Sequence, residues 1–207
     1  LAPLRLTDEG RLVTTLAATR ILFNGVPAPL LYVSDKQSSA IVPYAVSGQT
    51  SVDVEVEYAG VRSEAVTVPV LALRPGIFSL DASGWGQGAI LNEDGTVNSP
   101  SNPARRGSII SIFGTGGGEA DPGLVDGQIV SRVLPRTNLP VSVFFDVGGQ
   151  SKKAEVLYAG GVPGSLAGLL QINVRVPPNA VATGDAVRFA LTIGSHWTGF
   201  QVTVALR

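Results

Sequence analysis

The chain has 207 residues, 44% hydrophobic and 15% charged, enough for one large core or two small ones. Its net charge is −1, so no strong field draws nucleic acid or an anionic membrane surface. Cysteine is absent, which excludes disulfides, thiolate nucleophiles and zinc–thiolate centres, and no apolar run reaches the roughly 20 residues a spanning helix needs. Glycine (25) and proline (14) are frequent and valine recurs throughout, an all-β composition rich in turns. Methionine is absent even at position 1, so a processed or partial product is expected.

In chain order, the first turn-bounded stretch is Asp8-Glu9-Gly10-Arg11-Leu12-Val13, followed by a strand at Thr19-Arg20-Ile21-Leu22-Phe23. Asn24-Gly25 is a hairpin signal because both residues tolerate positive φ. Pro27, Pro29, Pro43, Pro69 and Pro177 belong at edges, strand ends or bulges, since proline cannot donate to a ladder. Val52, Val54, Val56 and Tyr58 alternate with Asp53, Glu55 and Glu57, which predicts a strand with the valines inward and the acids outward. Next comes 75–104, with turns at Asp81-Ala82-Ser83-Gly84 and Asn92-Glu93-Asp94-Gly95. It carries Ile77, Phe78, Leu80, Ile90, Leu91 and Val97, too apolar for a free linker. It is read as an ordered hairpin between two domains. The alternation returns at Val187, Phe189, Leu191 and Ile193. No segment shows a helical stripe.

The chain nearly repeats itself. Asp8-Glu9-Gly10 to Phe23 aligns with Val125-Asp126-Gly127 to Phe145, Leu30-Leu31-Tyr32-Val33 with Val156-Leu157-Tyr158-Ala159, and Val66-Thr67-Val68 with Val202-Thr203-Val204. Shared order over this length predicts two copies of one supersecondary plan, as two tandem β-sandwiches. The expected domains are 1–74, a hairpin linker at 75–104, and 105–207. Nothing before Asp8 matches the strand at 108–114, Ser108-Ile109-Ile110-Ser111-Ile112-Phe113-Gly114. A sheet lacking that strand exposes unpaired N–H and C=O groups and invites a partner. Ile21, Phe23, Leu31 and Ile41 are the candidate lining of a strand-acceptor groove.

Chemistry-bearing residues are sparse. His196 is the one histidine, placed between Gly194 and Gly199 in an apparent hairpin turn, so a triad would have to be built around it alone. Gly114-Thr115-Gly116-Gly117-Gly118 resembles a phosphate loop, but Glu119 stands where the dinucleotide fingerprint needs glycine and no helix pattern follows. A kink or crossover is the expected reading. Asn92-Glu93-Asp94-Gly95 lacks the spaced ligands and distal glutamate of a calcium loop, and Asp53, Glu55 and Glu57 read as a solvated face. No catalytic residue, metal or cofactor is expected. Trp85 and Trp197, flanked by glycines and unmatched in the repeat, are the candidate exposed aromatic contacts.

The words Asn24-Gly25-Val26-Pro27-Ala28-Pro29-Leu30-Leu31-Tyr32-Val33-Ser34, Ala40-Ile41-Val42-Pro43-Tyr44, Pro75-Gly76-Ile77-Phe78 and Gly86-Gln87-Gly88-Ala89-Ile90-Leu91-Asn92 occur together here. In combination they resemble a C-terminal domain family of large exported proteins described from Solibacter-type acidobacteria. The resemblance spans almost the whole chain. It implies immunoglobulin-like sandwiches and a secreted or cell-surface location, and it brings no activity and no catalytic residues. In that family a strand like 108–114 also precedes the first copy, so upstream sequence is expected to supply it.

The expectation is therefore a non-enzymatic, extracellular structural or adhesion module. It would assemble by strand addition from its own upstream segment or a neighbouring copy, up to a homopolymer or filament. Neither nucleic acid nor membrane insertion is expected. The alternative is a glycan- or surface-binding module that uses Trp85 and Trp197.

Overall fold

In a computed structural model, described over residues 1–130, 133–178 and 183–207, the chain is all-β with one short 3-10 turn at Tyr44–Val46 among the described residues. It divides into two compact units. Unit 1 comprises Leu1–Ala72, Gly123–Val133 and Pro163–Ala167; unit 2 comprises Leu73–Pro122, Leu134–Val162 and Gly168–Arg207.

Unit 1 holds two sheets. The three-stranded sheet has the order β1 (Ala2–Pro3), β4 (Leu30–Val33), β5 (Ser38–Ala40). The five-stranded sheet runs β3 (Val26–Pro27), β2 (Thr19–Phe23), β6 (Ser51–Tyr58), β7 (Val61–Arg62), with β8 (Val66–Pro69) also on β6. The β2–β3 turn forms as its residues dictate, with Asn24 and Gly25 at φ 48° and 79°. Leu16, Ile21, Leu30 and Val33 form a small core, flanked by the half-buried Phe23, Ala40 and Val54.

Two stretches late in the sequence are stitched into unit 1. Leu12 N–H donates to the Gly127 carbonyl at 2.8 Å, and Val130 N–H donates to the Ser165 carbonyl at 2.7 Å. Tyr44 N–H donates to Asp126 Oδ1 at 2.8 Å. The sequence reading placed these residues with 105–207.

Unit 2 is a 12-stranded curled sheet. Its elements are β9 (Gly76–Ile77), β10 (Gly86–Gln87), β11 (Ile90–Leu91), β12 (Ile109–Thr115), β13 (Ala120–Asp121), β14 (Arg136–Thr137), β15 (Val141–Val147), β16 (Gln150–Gly161), β17 (Leu170–Arg175), β18 (Gly184–Ile193), β19 (His196–Trp197) and β20 (Val202–Leu206). The long β16 serves both halves of the sheet: Gln150 to Ala154 pair with β15, and Glu155 to Gly161 pair with β17. One core joins Ile110, Ile112, Ile172 and Val174 from one half to Val143, Phe145, Phe189, Leu191 and Val204 from the other.

Within 75–104 a hairpin closes where Leu80 N–H donates to Gln87 O and Ala89 N–H to Phe78 O. It is woven into unit 2. β9 and β11 pair with β12, and β10 runs parallel to β20. Ile77 and Ile90 are buried, Leu91 is half-buried and Phe78 is exposed. Asn98, fully buried, fastens the segment: its amide donates to the carbonyls of Ala205 and the Asn92 side chain, both at 2.9 Å. Its Oδ1 accepts from Ala205 N–H at 2.9 Å and from Gln87 at 3.0 Å.

Strand pairings in the two units correspond register for register. Ile21↔Val56 and Phe23↔Val54 on β2–β6 answer Val143↔Leu191 and Phe145↔Phe189 on β15–β18. Val52↔Val68 and Val54↔Val66 answer Val187↔Val204 and Phe189↔Val202. Leu30↔Ala40, Tyr32↔Ser39 and Val33↔Ser38 answer Val156↔Val174, Tyr158↔Asn173 and Ala159↔Ile172, with a one-residue bulge at the same place, Leu31 or Leu157. β3 and β4 together thus correspond to β16, interrupted in unit 1 by Pro27 and Pro29, which cannot donate to a ladder.

Candidate interaction edge

The correspondence ends at two places. In unit 2, β12 lies on the side of β17 away from β16, and β10 lies on the side of β20 away from β18. The matching strands in unit 1, β5 and β8, pair only with β4 and β6. Both have an unpaired edge among the described residues. The N-terminal β1 does not close the β5 edge. It pairs with β4, on the other side of that strand.

Exposure follows the missing strands. Val66 is 61% exposed where its counterpart Val202 is 3%. Val56 and Tyr58 are 41% and 64% exposed where Leu191 and Ile193 are 1% and 0%. The expectation that Val56 points into a core therefore fails, while Val52, Val187, Phe189 and Leu191 are buried as expected. The strand alternates as predicted, but one end of its apolar face has no cover. Beside it opens a groove of about 800 Å³, lined by Ala2, Ile21, Val33, Ser38, Val56 and Tyr58 among others.

Of the four groove residues named from sequence, Ile21 lines this groove. Phe23 is half-buried against the unit 1 core. Leu31 is the half-buried bulge residue of β4, and Ile41, half-buried just after β5, donates its N–H to Pro29 O at 2.9 Å. Sequence reasoning missed Ser38, Val56 and Tyr58 as lining, and Ser38–Ala40 as the edge itself. For Ser38–Ala40 the only signal is indirect: Gln37 and Pro43 align with Gln171 and Pro177, which sets these residues opposite 172–174.

The acids on the outer face of β6 are engaged. Arg20 donates to Glu57 Oε1 from Nε at 3.0 Å and Nη2 at 2.6 Å, and Arg62 Nε reaches Glu57 Oε2 at 3.2 Å. Asp53 accepts from the Thr67 hydroxyl at 2.6 Å. The Arg20 hydrogen bonds lead in holding the Glu57 carboxyl below its ordinary range. No cluster suited to a metal ion occurs among the described residues.

His196 sits on β19 rather than in the turn, opposite Ile193; the residue is half-buried, and its buried Nδ1 has no hydrogen-bond partner. Trp197 beside it is 46% exposed and joins an aromatic cluster, 5.8 Å from Phe144 and 5.2 Å edge-on to Phe200. Trp85 is 61% exposed and follows a polar turn. There Asp81 Oδ1 accepts from the hydroxyls of Ser79 and Ser83, both at 2.7 Å, while the Ser83 hydroxyl accepts from Trp85 N–H at 3.1 Å. Ser83, then Ser79, pull the Asp81 pKa down to about 2. Gly86 N–H donates to Gln201 O at 3.0 Å, which brings Trp85 beside the residues that follow Phe200.

The glycine run at 114–118 is a crossing point. A Cβ on Gly114 or Gly116 would collide with the carbonyl oxygens of Gly76 and Arg74, and Gly116 has φ +73°. The glycines let two backbones approach, and no helix N-terminus follows them. In the Asn92 turn Asp94 accepts from the Thr96 hydroxyl and N–H at 2.6 and 3.0 Å, and Asn92 is tied outward to Asn98 and to the Asn102 carbonyl. No helix among the described residues is long and apolar enough to cross a membrane.

Compared with known proteins, the chain matches no family model, no curated protein and no solved structure.

Proposed function

We propose that the chain is a non-catalytic structural or adhesion module of the cell exterior, built as two immunoglobulin-like sandwiches. The first is completed by a β-strand from outside residues 1–207. One observation carries the reading: β5 repeats the register of β17 down to the bulge of its neighbour, yet among the described residues no strand stands in the position of β12. Strand addition suits such an edge, because main-chain bonds supply affinity and alternate side chains supply selectivity. An upstream segment or a neighbouring copy could donate, and head-to-tail donation builds a filament. The resemblance to exported acidobacterial proteins supports the extracellular placement.

The test is binding of a synthetic 106–115 peptide to the 207-residue chain, followed by fluorescence anisotropy. Saturable binding that Ala40→Pro abolishes is expected: Ser34 N–H donates to Gln37 O and Ile41 N–H to Pro29 O, so alternation leaves the N–H groups of 38 and 40 at the free edge, and proline removes such a donor. Absence of binding by the folded chain contradicts the reading.

A second reading, a glycan- or surface-binding module, is favoured by the exposed cluster of Trp197, Phe144 and Phe200. Retention on a glycan array that Trp197→Ala removes supports it; an array without signal counts against it.

A further inference from the structure

Unit 2 contains, in its own chain, the strand that unit 1 lacks. β12 is antiparallel to β17, with Ile110 opposite Val174, Ser111 opposite Asn173 and Ile112 opposite Ile172. Ile110, Ile112, Ile172 and Val174 are all fully buried, whereas Ser111 and Asn173 face the other way, joined by a 3.0 Å hydrogen bond between their side chains. In unit 1 the β4 pairing puts Ala40, Ser39 and Ser38 where Val174, Asn173 and Ile172 stand. The inward positions are thus kept in register but cut to small side chains. Ser38 lines the groove with Ile21, Val33, Val56 and Tyr58, while Ala40 packs beside the unit 1 core with only a methyl group where Val174 stands. Close packing requires the bulk missing from the acceptor to come from the donor.

We propose that β5 takes an antiparallel strand of a partner segment carrying large apolar side chains at two alternate positions, opposite Ala40 and Ser38, with a small polar residue between them opposite Ser39. The apolar residues enter the groove and cover Val56 and Tyr58. Proline is excluded from the ladder-donating positions. A slip of one residue would turn the apolar pair to solvent, so the register is tightly set. This proposal rests on the strand-acceptor reading and adds the partner's pattern and register.

The chain has no cysteine, so Ser39→Cys introduces a single thiol. The probes are 106–115 peptides carrying cysteine in place of Ile110, Ser111 or Ile112, and one with Ile110 and Ile112 both changed to serine. The serine peptide should not bind. Disulfide formation should be at least about tenfold faster for Ser111→Cys than for either neighbour, since only that position meets residue 39 on the same face. If the unmodified peptide binds but the three cysteine peptides react equally, the register falls and the strand-acceptor reading stands. If the serine peptide binds as well as the parent, the apolar pattern falls. If the unmodified peptide does not bind, both fall. Disulfide dimers of the Ser39→Cys chain that exclude peptide would show that a second copy's β5 is the occupant, which overturns the proposal.

Discussion

Asn98 is the side chain on which the most backbone satisfaction depends. It is fully buried, and it fills both the N–H and the C=O of Ala205 on β20 while holding Asn92 and Gln87. Asn98→Ala would leave the Ala205 N–H unpaired, while the Ala205 carbonyl keeps the Ala104 N–H at 2.9 Å. We expect a loss of roughly 1–3 kcal/mol in denaturant midpoint measurements, the cost of one unsatisfied buried donor. Asp81 acts on a different axis. Its folded pKa lies at about 2, below the ordinary 3.8, so its contribution is complete above the ordinary value and lost as pH falls through the folded one. Asp81→Asn should therefore shrink the acid-induced loss of stability between these values and leave stability unchanged in its dependence near neutrality. Thermal melts across pH 2 to 7 check this; an unchanged acid limb contradicts it.

At the scale of elements, period-two patterning was legible for both β6 and β18, but it reports only which side chains share a face. Whether that face is covered depends on other strands, which is why Val56 and Leu191, in matching registers, differ so widely in exposure. β5 was hardly legible, since Ser38, Ser39 and Ala40 carry no strand propensity. The glycines of 114–118 were legible as a crossing, though not what crosses them. The backbone of Arg74 does, and Gly116→Ala should cost about 1–3 kcal/mol through both the positive φ and the carbonyl collision. Chemical unfolding of that variant measures it, and wild-type stability would show that 74–76 can retreat. That 123–133 and 163–167 belong to unit 1 was not legible, because backbone hydrogen bonds such as Val130 to Ser165 leave no side-chain pattern in a sequence.

For the molecule as a whole, one plan is carried out twice with unequal closure. Unit 2 has β9 to β12 on its edges and a large continuous core; unit 1 has bare edges at β5 and β8 and exposed Val56, Tyr58 and Val66. Covering one such side chain is worth about 1.5–3 kcal/mol, so a strand that shields two or three of them has a substantial driving force besides its ladder bonds. The free chain should accordingly self-associate more than Val56→Thr/Tyr58→Thr, as read by sedimentation at rising concentration. Equal behaviour would mean that the exposed face is inert.

The most direct measurement is amide hydrogen exchange of the 207-residue chain, with and without the 106–115 peptide. The account predicts that β5 and β8 exchange at least about a hundredfold faster than β17 and β20 in the dilute free chain, and that the peptide slows β5 alone. Protection of β5 equal to that of β17 without any added strand would mean that its edge is already closed, contradicting the strand-acceptor claim.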